Sequence, residues 1–247
     1  MGHLFSLAMN TQIEAFDGVC VVFAAGDKVF KLPANGAKNA FVRELECIQQ
    51  VKIPKQCGFV EAREETVNAE MLRKIPRSLR QRLWKGCVPG TPAIVMKRLP
   101  GITALKVVER GATDEIRATI VAQMARLLTE MVKCGLYHTD MKLENMQCID
   151  KDLTIRLLDV GSIWWKPGQH ATYTYAIRDF SKDPAAAMSI NVVCTLIELY
   201  NGLIPSSGLF DCQHYIKLRT TTLRQIKCPA VRAQLDTLLV REEHFTK

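Results

Sequence analysis

Residues 137–145 read YHTDMKLEN, and residues 159–161 read DVG. The first stretch follows a segment of helical apolar spacing that ends at Gly135. The second follows a short apolar run typical of a strand. Hard cations such as Mg²⁺ prefer oxygen ligands, so Asn145 and Asp159 suit a metal site.

The same residues match the requirements of phosphoryl transfer. That chemistry needs one carboxylate that accepts or orients the proton of the attacking hydroxyl, and oxygen ligands that hold Mg²⁺ against the phosphates. Asp140 can supply the carboxylate. Lys142, two positions later, can reach the transferred phosphate and offset its developing negative charge.

The pattern resembles the protein-kinase catalytic loop, H-R-D-L-x-x-x-N, followed by D-F-G. The resemblance implies that Asp140 is the catalytic base, that Asn145 and Asp159 are metal ligands, and that Lys142 contacts phosphate. It also implies ATP and Mg²⁺ as cofactors, and Lys142 favours the serine/threonine type. The function expected is ATP- and Mg-dependent phosphoryl transfer to Ser or Thr of a protein substrate.

The loop departs from the family pattern at three positions. Thr139 replaces Arg, Met141 replaces Leu, and Val160 replaces Phe. In the family, that Arg commonly pairs with a phosphorylated activation loop. We therefore predict activity that does not depend on activation-loop phosphorylation.

Candidates for ATP binding lie ahead of the loop. The family needs a Lys on the third strand paired with a Glu on the next helix. Lys31 in VFKL and Glu44 in VREL fit these places, with Glu46 as the fallback. The glycine-rich phosphate loop is poorly matched, because Gly18 alone is available.

A short apolar strand before Pro100 resembles the strand and hinge that receive adenine. Met96 would guard the back of the pocket, and Arg98 would belong to the hinge formed by residues 97–99. Both are therefore further candidates for ATP binding.

The order of predicted elements is α+β, a strand-rich front followed by a helical back. The resemblance implies a two-lobed protein-kinase-like fold, with an N-lobe and hinge over residues 1–99 and a shortened helical C-lobe over 100–247. Predicted strands are 18–25, 28–32, 58–62, 93–99, 146–149 and 153–158; predicted helices are 39–51, 69–84 with a break at Pro76, a helix capped by Thr113 or Asp114, 186–200 and 229–241.

The second half of the chain is shorter than the C-lobe of the resembled family and lacks some of its motifs. No Ala-Pro-Glu occurs between Gly161 and Met188, and the usual Asp of the central buried helix is replaced near Met188. Residues 235–245 are what remains of the terminal helices. This compactness is similar to that of the minimal kinases of viruses and bacterial effectors.

The amino-acid composition narrows the classes of protein to which the chain can belong. The 247 residues are 48% hydrophobic with net charge +8, and no apolar run is long enough to span a bilayer. Nine dispersed Cys without Cys-x-x-Cys pairs predict neither a disulfide nor a zinc site, as in a reducing compartment. We therefore expect an intracellular protein, cytoplasmic or nuclear, and possibly in a host cell.

Expected partners follow from charge and motif. A basic stretch from Arg73 to Lys85 predicts a solvated helix face, with a site for an acidic partner as the alternative. Aromatic residues make up only 7% of the chain and form no ladder beside these basic residues, so we expect no nucleic-acid binding. Gly2 fits an N-myristoylation pattern, so a membrane is a partner only if Gly2 is acylated.

Two other functions remain open. One is a pseudokinase that acts as a binding module, motivated by the thin glycine loop and the missing Asp. The other is a small-molecule phosphotransferase of the aminoglycoside or choline kinase type, which also uses His-x-Asp-x-x-x-x-Asn and a later Asp. The protein substrate and the oligomeric state stay undetermined.

Overall fold

The computed structural model describes residues 14–16, 20–165, 176–177, 183–202 and 209–244. Within them, the first hundred residues form a five-stranded sheet with few helices, and most of the helices follow. The fold is therefore of the α+β class, as the sequence predicts.

The first part contains, in chain order, β1 (Glu14–Phe16), β2 (Cys20–Ala25), β3 (Lys28–Pro33), α1 (Lys38–Gln50), β4 (Ala62–Thr66), α2 (Ala69–Lys74), α3 (Arg77–Arg80) and β5 (Pro92–Lys97). The second part contains β6 (Ile102–Thr103), α4 (Ala104–Glu109), α5 (Asp114–Lys133), β7 (Tyr137–His138), β8 (Met146–Cys148), β9 (Ile155–Leu157), β10 (Ile163–Trp164), β11 (Ala176–Ile177), α6 (Pro184–Asn201), β12 (Leu209–Phe210), α7 (Cys212–Gln225) and α8 (Pro229–Leu238).

The sheet of the first part is antiparallel throughout, in the order β1-β2-β3-β5-β4. The predicted hairpin of β2 and β3 is present, and Gly26 takes a left-handed φ of 66° in its turn. Central strand β3 carries Lys31, which lies opposite Val22 on one side and Ile94 on the other. The register therefore fixes Lys31 in the middle of the sheet.

Helix α1 confirms the helix predicted over 39–51. Its buried residues are Phe41, Glu44, Leu45 and Cys47, which share one face at helical spacing. The face that buries the apolar residues thus also buries one carboxylate.

The strand predicted over 58–62 is wrong. Residues 55–57 form a 3₁₀ turn and Gly58 takes a left-handed φ of 77°, so the strand starts only at Ala62. Val60 instead donates its backbone N–H to the Leu157 carbonyl oxygen at 2.9 Å, which ties this segment to β9. The predicted break at Pro76 is confirmed, because Pro76 separates α2 from α3.

Two helices form the centre of the second part. The Thr113 hydroxyl caps α5 by accepting from the Ile116 N–H, and Gly135 lies beyond its end with a left-handed φ of 68°. Helix α6 starts after Asp183, whose carboxylate accepts from the Ala185 and Ala186 N–H groups. Every residue of α6 from Ala186 to Ile197 is buried, so α6 is the core of this part.

Helix α7 was not predicted from the sequence. Asp211 caps it by accepting from the His214 N–H, and its Tyr215 is buried with the hydroxyl donating to the Val240 carbonyl at 3.0 Å. Among the described residues, no helix is long and apolar enough to cross a membrane.

Gly101 makes the closest approach of any described glycine. A Cβ built there would lie 1.8 Å from the carbonyl oxygen of Cys148, and its φ is +87°. Gly111 has a similar φ of +85° but open space around it. An alanine at Gly111 would therefore suffer backbone strain alone, whereas an alanine at Gly101 would suffer the same strain and a steric clash.

We expect Gly111→Ala to cost about 1–2 kcal/mol, the strain of a left-handed alanine. Gly101→Ala must also displace the β8 backbone, and we expect it to cost about 2 kcal/mol more than the control. Urea unfolding at pH 7 measures both values. Equal losses for the two variants would contradict the close contact at Gly101.

Candidate functional site

The predicted pair of Lys31 and Glu44 is formed. The Lys31 Nζ lies 2.6 Å from Oε1 and 2.7 Å from Oε2 of Glu44, so the ammonium bonds both carboxylate oxygens. Lys31 is 6% exposed and Glu44 is 3% exposed. Glu46, the fallback, is only partly buried and is not the partner of Lys31.

Asp159 joins this pair from the second part of the chain. Its Oδ1 lies 3.3 Å from the Lys31 Nζ, although the two residues are far apart in sequence. The same oxygen accepts from the Gly161 N–H at 3.1 Å, and Oδ2 accepts from the Ser162 hydroxyl at 3.4 Å. The side chain stays 23% exposed, so solvent and small ligands can still reach it.

The charges of this trio are mutually stabilised. Burial works against the charge of Lys31, but Glu44 and then Asp159 outweigh it and hold the pKa of Lys31 well above its usual range. Burial would raise the pKa of Asp159, yet Lys31 and the Gly161 N–H keep it well below its usual range. At neutral pH the site therefore contains an ammonium and carboxylates.

The predicted loop is positioned by a short two-stranded sheet. β7 pairs with β10, so His138 lies opposite Ile163 just after the Asp159 turn. The backbone N–H of Leu158 donates to the Asn145 carbonyl at 2.9 Å. These bonds bring residues 137–145 and 159–161 next to each other.

His138 links both stretches. Its Nδ1 accepts from the Asp140 N–H at 3.2 Å, so Nε2 must carry the proton, which it donates to the Asp159 carbonyl at 3.1 Å. Burial lowers the pKa of His138, which keeps the ring neutral. The Phe59 ring stacks on it with 5.7 Å between centroids. A neutral ring in this tautomer fixes both aspartates through their backbones.

Asp140, Lys142 and Asn145 lie together. The Asn145 Nδ2 donates to the Asp140 carbonyl at 2.9 Å and to Asp140 Oδ2 at 3.4 Å. This orientation leaves the Asn145 Oδ1 as an oxygen ligand for a cation. The Lys142 Nζ is 3.2 Å from Asp140 Oδ2; although burial opposes its charge, Asp140 raises the pKa of Lys142.

Thr139 stands where the resembled family has arginine. It is fully buried, and both its backbone N–H and its hydroxyl donate to the Ser162 carbonyl, at 2.9 and 3.0 Å. The side chain therefore fastens the loop to the Asp159 turn, and it offers no positive charge to a phosphate.

Sequence reasoning missed Thr195. This residue lies on α6, where its hydroxyl is within hydrogen-bond distance of the Met141 carbonyl and 2.8 Å from the Asn191 carbonyl. A hydroxyl has one proton, so it donates to one of them at a time. Thr195 thus anchors the loop to the central helix; its place among the apolar residues Val193, Leu196 and Ile197 was the available signal.

Of the other residues predicted to contact ATP, Met96 and Arg98 lie in the described part of the chain. Met96 is buried in a cluster with Val29, Leu45 and Ile94, above the sheet face that carries α1. The Arg98 backbone N–H donates to the Asp27 carbonyl at 2.7 Å and so closes the end of the hairpin. Gly18 and Gly2 lie outside the described residues, as does most of the segment between Gly161 and Met188.

No family model and no curated protein matches the chain. An ammonium held between two carboxylates, beside a loop with a carboxylate, a second ammonium and an amide oxygen, can bind a phosphate–cation complex and accept a proton.

Removing one partner of the buried pair tests how strongly the site is coupled to folding. In Glu44→Gln the Lys31 charge stays buried with half of its compensation lost, so we expect a loss of about 3 kcal/mol in the free energy of unfolding. The matched control is Glu46→Gln, two positions along α1, for which we expect a change within about 0.5 kcal/mol.

Urea unfolding at pH 7 gives both values. If the two variants lost the same stability, the pairing of Lys31 with Glu44 rather than Glu46 would be refuted.

Proposed function

We propose that this chain has a two-lobed protein-kinase-like fold and transfers the γ-phosphoryl group of ATP, with Mg²⁺, to Ser or Thr of a protein substrate. The observation that carries the proposal is the contact of Lys31 with both Glu44 and Asp159. Three charged side chains gathered in a largely buried place do not improve stability over an apolar cluster. Such a group is better explained by a site that binds charged ligands.

In the proposed reaction the residues of the loop have separate tasks. The substrate hydroxyl oxygen forms the new bond to the γ-phosphorus, the bond from that phosphorus to the bridging oxygen breaks, and the electron pair leaves with ADP. Asp140 takes the hydroxyl proton, and Lys142 offsets the negative charge on the transferred group.

Lys31 would hold the α- and β-phosphates, and Glu44, which is bonded to the Lys31 ammonium, would orient it for that contact. The oxygens of Asn145 and Asp159 fit Mg²⁺, which when bound would neutralise phosphate charge. Among the described residues, no group of three or more His, Cys, Asp or Glu side chains could hold a metal ion. Mg²⁺ usually binds through one or two carboxylates plus phosphates and water, which suits this set.

Lys142 favours protein substrates over small molecules, because it contacts Asp140 from the solvent side and is 39% exposed. An exposed ammonium beside the base leaves room for a large acceptor. Expected specificity is therefore for a hydroxyl on a protein surface.

The test is transfer from labelled ATP with MgCl₂ to generic protein substrates. We expect Asp140→Asn and Lys31→Met to reduce the rate by about 10²–10⁴-fold, the contribution of a general base or of phosphate positioning. The matched control is Asp152→Asn, an exposed carboxylate on the turn between β8 and β9. It should transfer at the wild-type rate.

Three results would overturn the proposal. The first is no transfer by the wild type together with no thermal shift by Mg-ATP, which would favour a binding module. The second is transfer to aminoglycosides or choline but not to proteins. The third is unchanged transfer by Asp140→Asn.

Activity should not require phosphorylation of the segment after Gly161. Thr139 carries no charge and its hydroxyl is bonded to Ser162, so this position cannot receive a phosphate. We expect chain made in bacteria and treated with phosphatase to be as active as chain incubated with upstream kinases. Strong activation by such a kinase, checked by intact mass, would contradict this.

A further inference from the structure

A cavity lies in the C-terminal helices, lined by residues of α7 and α8. Its volume is about 450 Å³, within the range of sites for small molecules. Arg219, Thr220 and Arg224 of α7 line one side, and Pro229 and Arg232 of α8 line the other. None of these residues belongs to the site described above.

The guanidinium groups here have unused hydrogen-bonding capacity. Arg219 is 9% exposed, and its Nε–H is buried without a hydrogen-bond partner in the described part of the chain. The same holds for the Nε–H of Arg232. Buried donors are normally satisfied, so these two mark guanidinium groups whose hydrogen-bonding capacity is not used up by the described residues.

Positive charge in the cavity exceeds negative charge. The one carboxylate among the lining residues is Asp236. Its Oδ1 accepts from Arg219 at 2.7 Å, and its Oδ2 accepts from Arg241 at 2.6 Å. Within the described ranges, neither Arg224 nor Arg232 forms an ion pair. Asp236 is thus fully engaged, and the remaining charge is available to an anion.

The first turn of α8 adds to this field. Pro229 is its first residue, and Cys228 at the N-cap supplies no side-chain hydrogen bond. The N–H groups of a first turn have no partner within the helix and carry partial positive charge. They lie at the same wall of the cavity as Arg232.

We propose that this cavity binds a phosphoryl group of a small phosphorylated molecule. A phosphate carries about 1.5–2 negative charges at neutral pH, against one for a carboxylate, and so matches several arginines. Guanidinium groups bind phosphate oxygens in pairs, and those of Arg224 and Arg232 take part in no ion pair among the described residues. The inference does not depend on the proposed phosphotransferase activity.

The experiment is isothermal titration of the full chain with inorganic phosphate and with pyrophosphate at pH 7.5. The variants are Arg232→Gln and Arg224→Gln, which remove guanidinium groups that take part in no ion pair among the described residues. The matched control is Arg126→Gln on α5, an exposed arginine bonded only to Gln123 among the described residues. It removes the same charge from the same part of the chain.

We expect the wild type and Arg126→Gln to bind at least one of the two anions alike, and the two cavity variants to bind about tenfold more weakly, the loss of one charge-assisted pair. The anion should also raise the thermal midpoint of the wild type and the control more than that of Arg232→Gln. Tighter binding of pyrophosphate would assign the cavity to a molecule with two linked phosphoryl groups; tighter binding of phosphate would assign a single one.

The proposal is overturned if the wild type binds neither anion, or if the cavity variants bind as the control does. Melting of each variant without anion checks that it is folded. Loss of binding in Lys31→Met, with no loss in Arg232→Gln, would place the anion in the first site and also refute the proposal.

Discussion

The structure depends on one constraint, the burial of the Lys31 ammonium between Glu44 and Asp159. Each of the three comes from a different element, the centre of β3, the inner face of α1 and the turn after β9. A buried charge without its counter-charge is expensive, so these elements must keep their relative positions. The sheet, the helix and the second part of the chain are thereby held in one arrangement by charge as well as by packing.

Around this trio, side chains hold the loop in place through hydrogen bonds to backbone groups. His138 binds the Asp140 N–H and the Asp159 carbonyl, and Thr139 binds the Ser162 carbonyl. Thr195 reaches the Met141 carbonyl from the buried helix α6. The backbones of residues 138–141 and of the Asp159 turn are thus held in addition to the bonds that the Asp140 and Asp159 carboxylates make themselves.

The sequence predicted much of this because local patterns and chemistry agreed. Glu44 shares a helical face with Phe41 and Leu45, which distinguishes it from Glu46. The strand prediction over 58–62 is wrong because β4 is an edge strand of polar sequence, AREET. The apolar residues before it contact Leu157 of β9 instead. Helix α7 was missed because its threonines and scattered apolar residues give no clear stripe; its buried Tyr215 and the Arg219 pair with Asp236 reflect tertiary contacts. Such contacts cannot be read from local spacing.

The segment that replaces the expected strand has a mechanical consequence. Backbone hydrogen bonds join Val60 and Gly58 to Leu157, and the chain itself crosses between the two parts near Gly101, against Cys148. The sheet and the helical part are therefore joined through the backbone at two separate places, in addition to the contact of Lys31 with Asp159. Sliding one part past the other would break backbone hydrogen bonds, whereas rotation about the line through both attachments keeps them. Rotation of the two parts would thus be resisted by the contact of Lys31 with Asp159 rather than by these backbone hydrogen bonds.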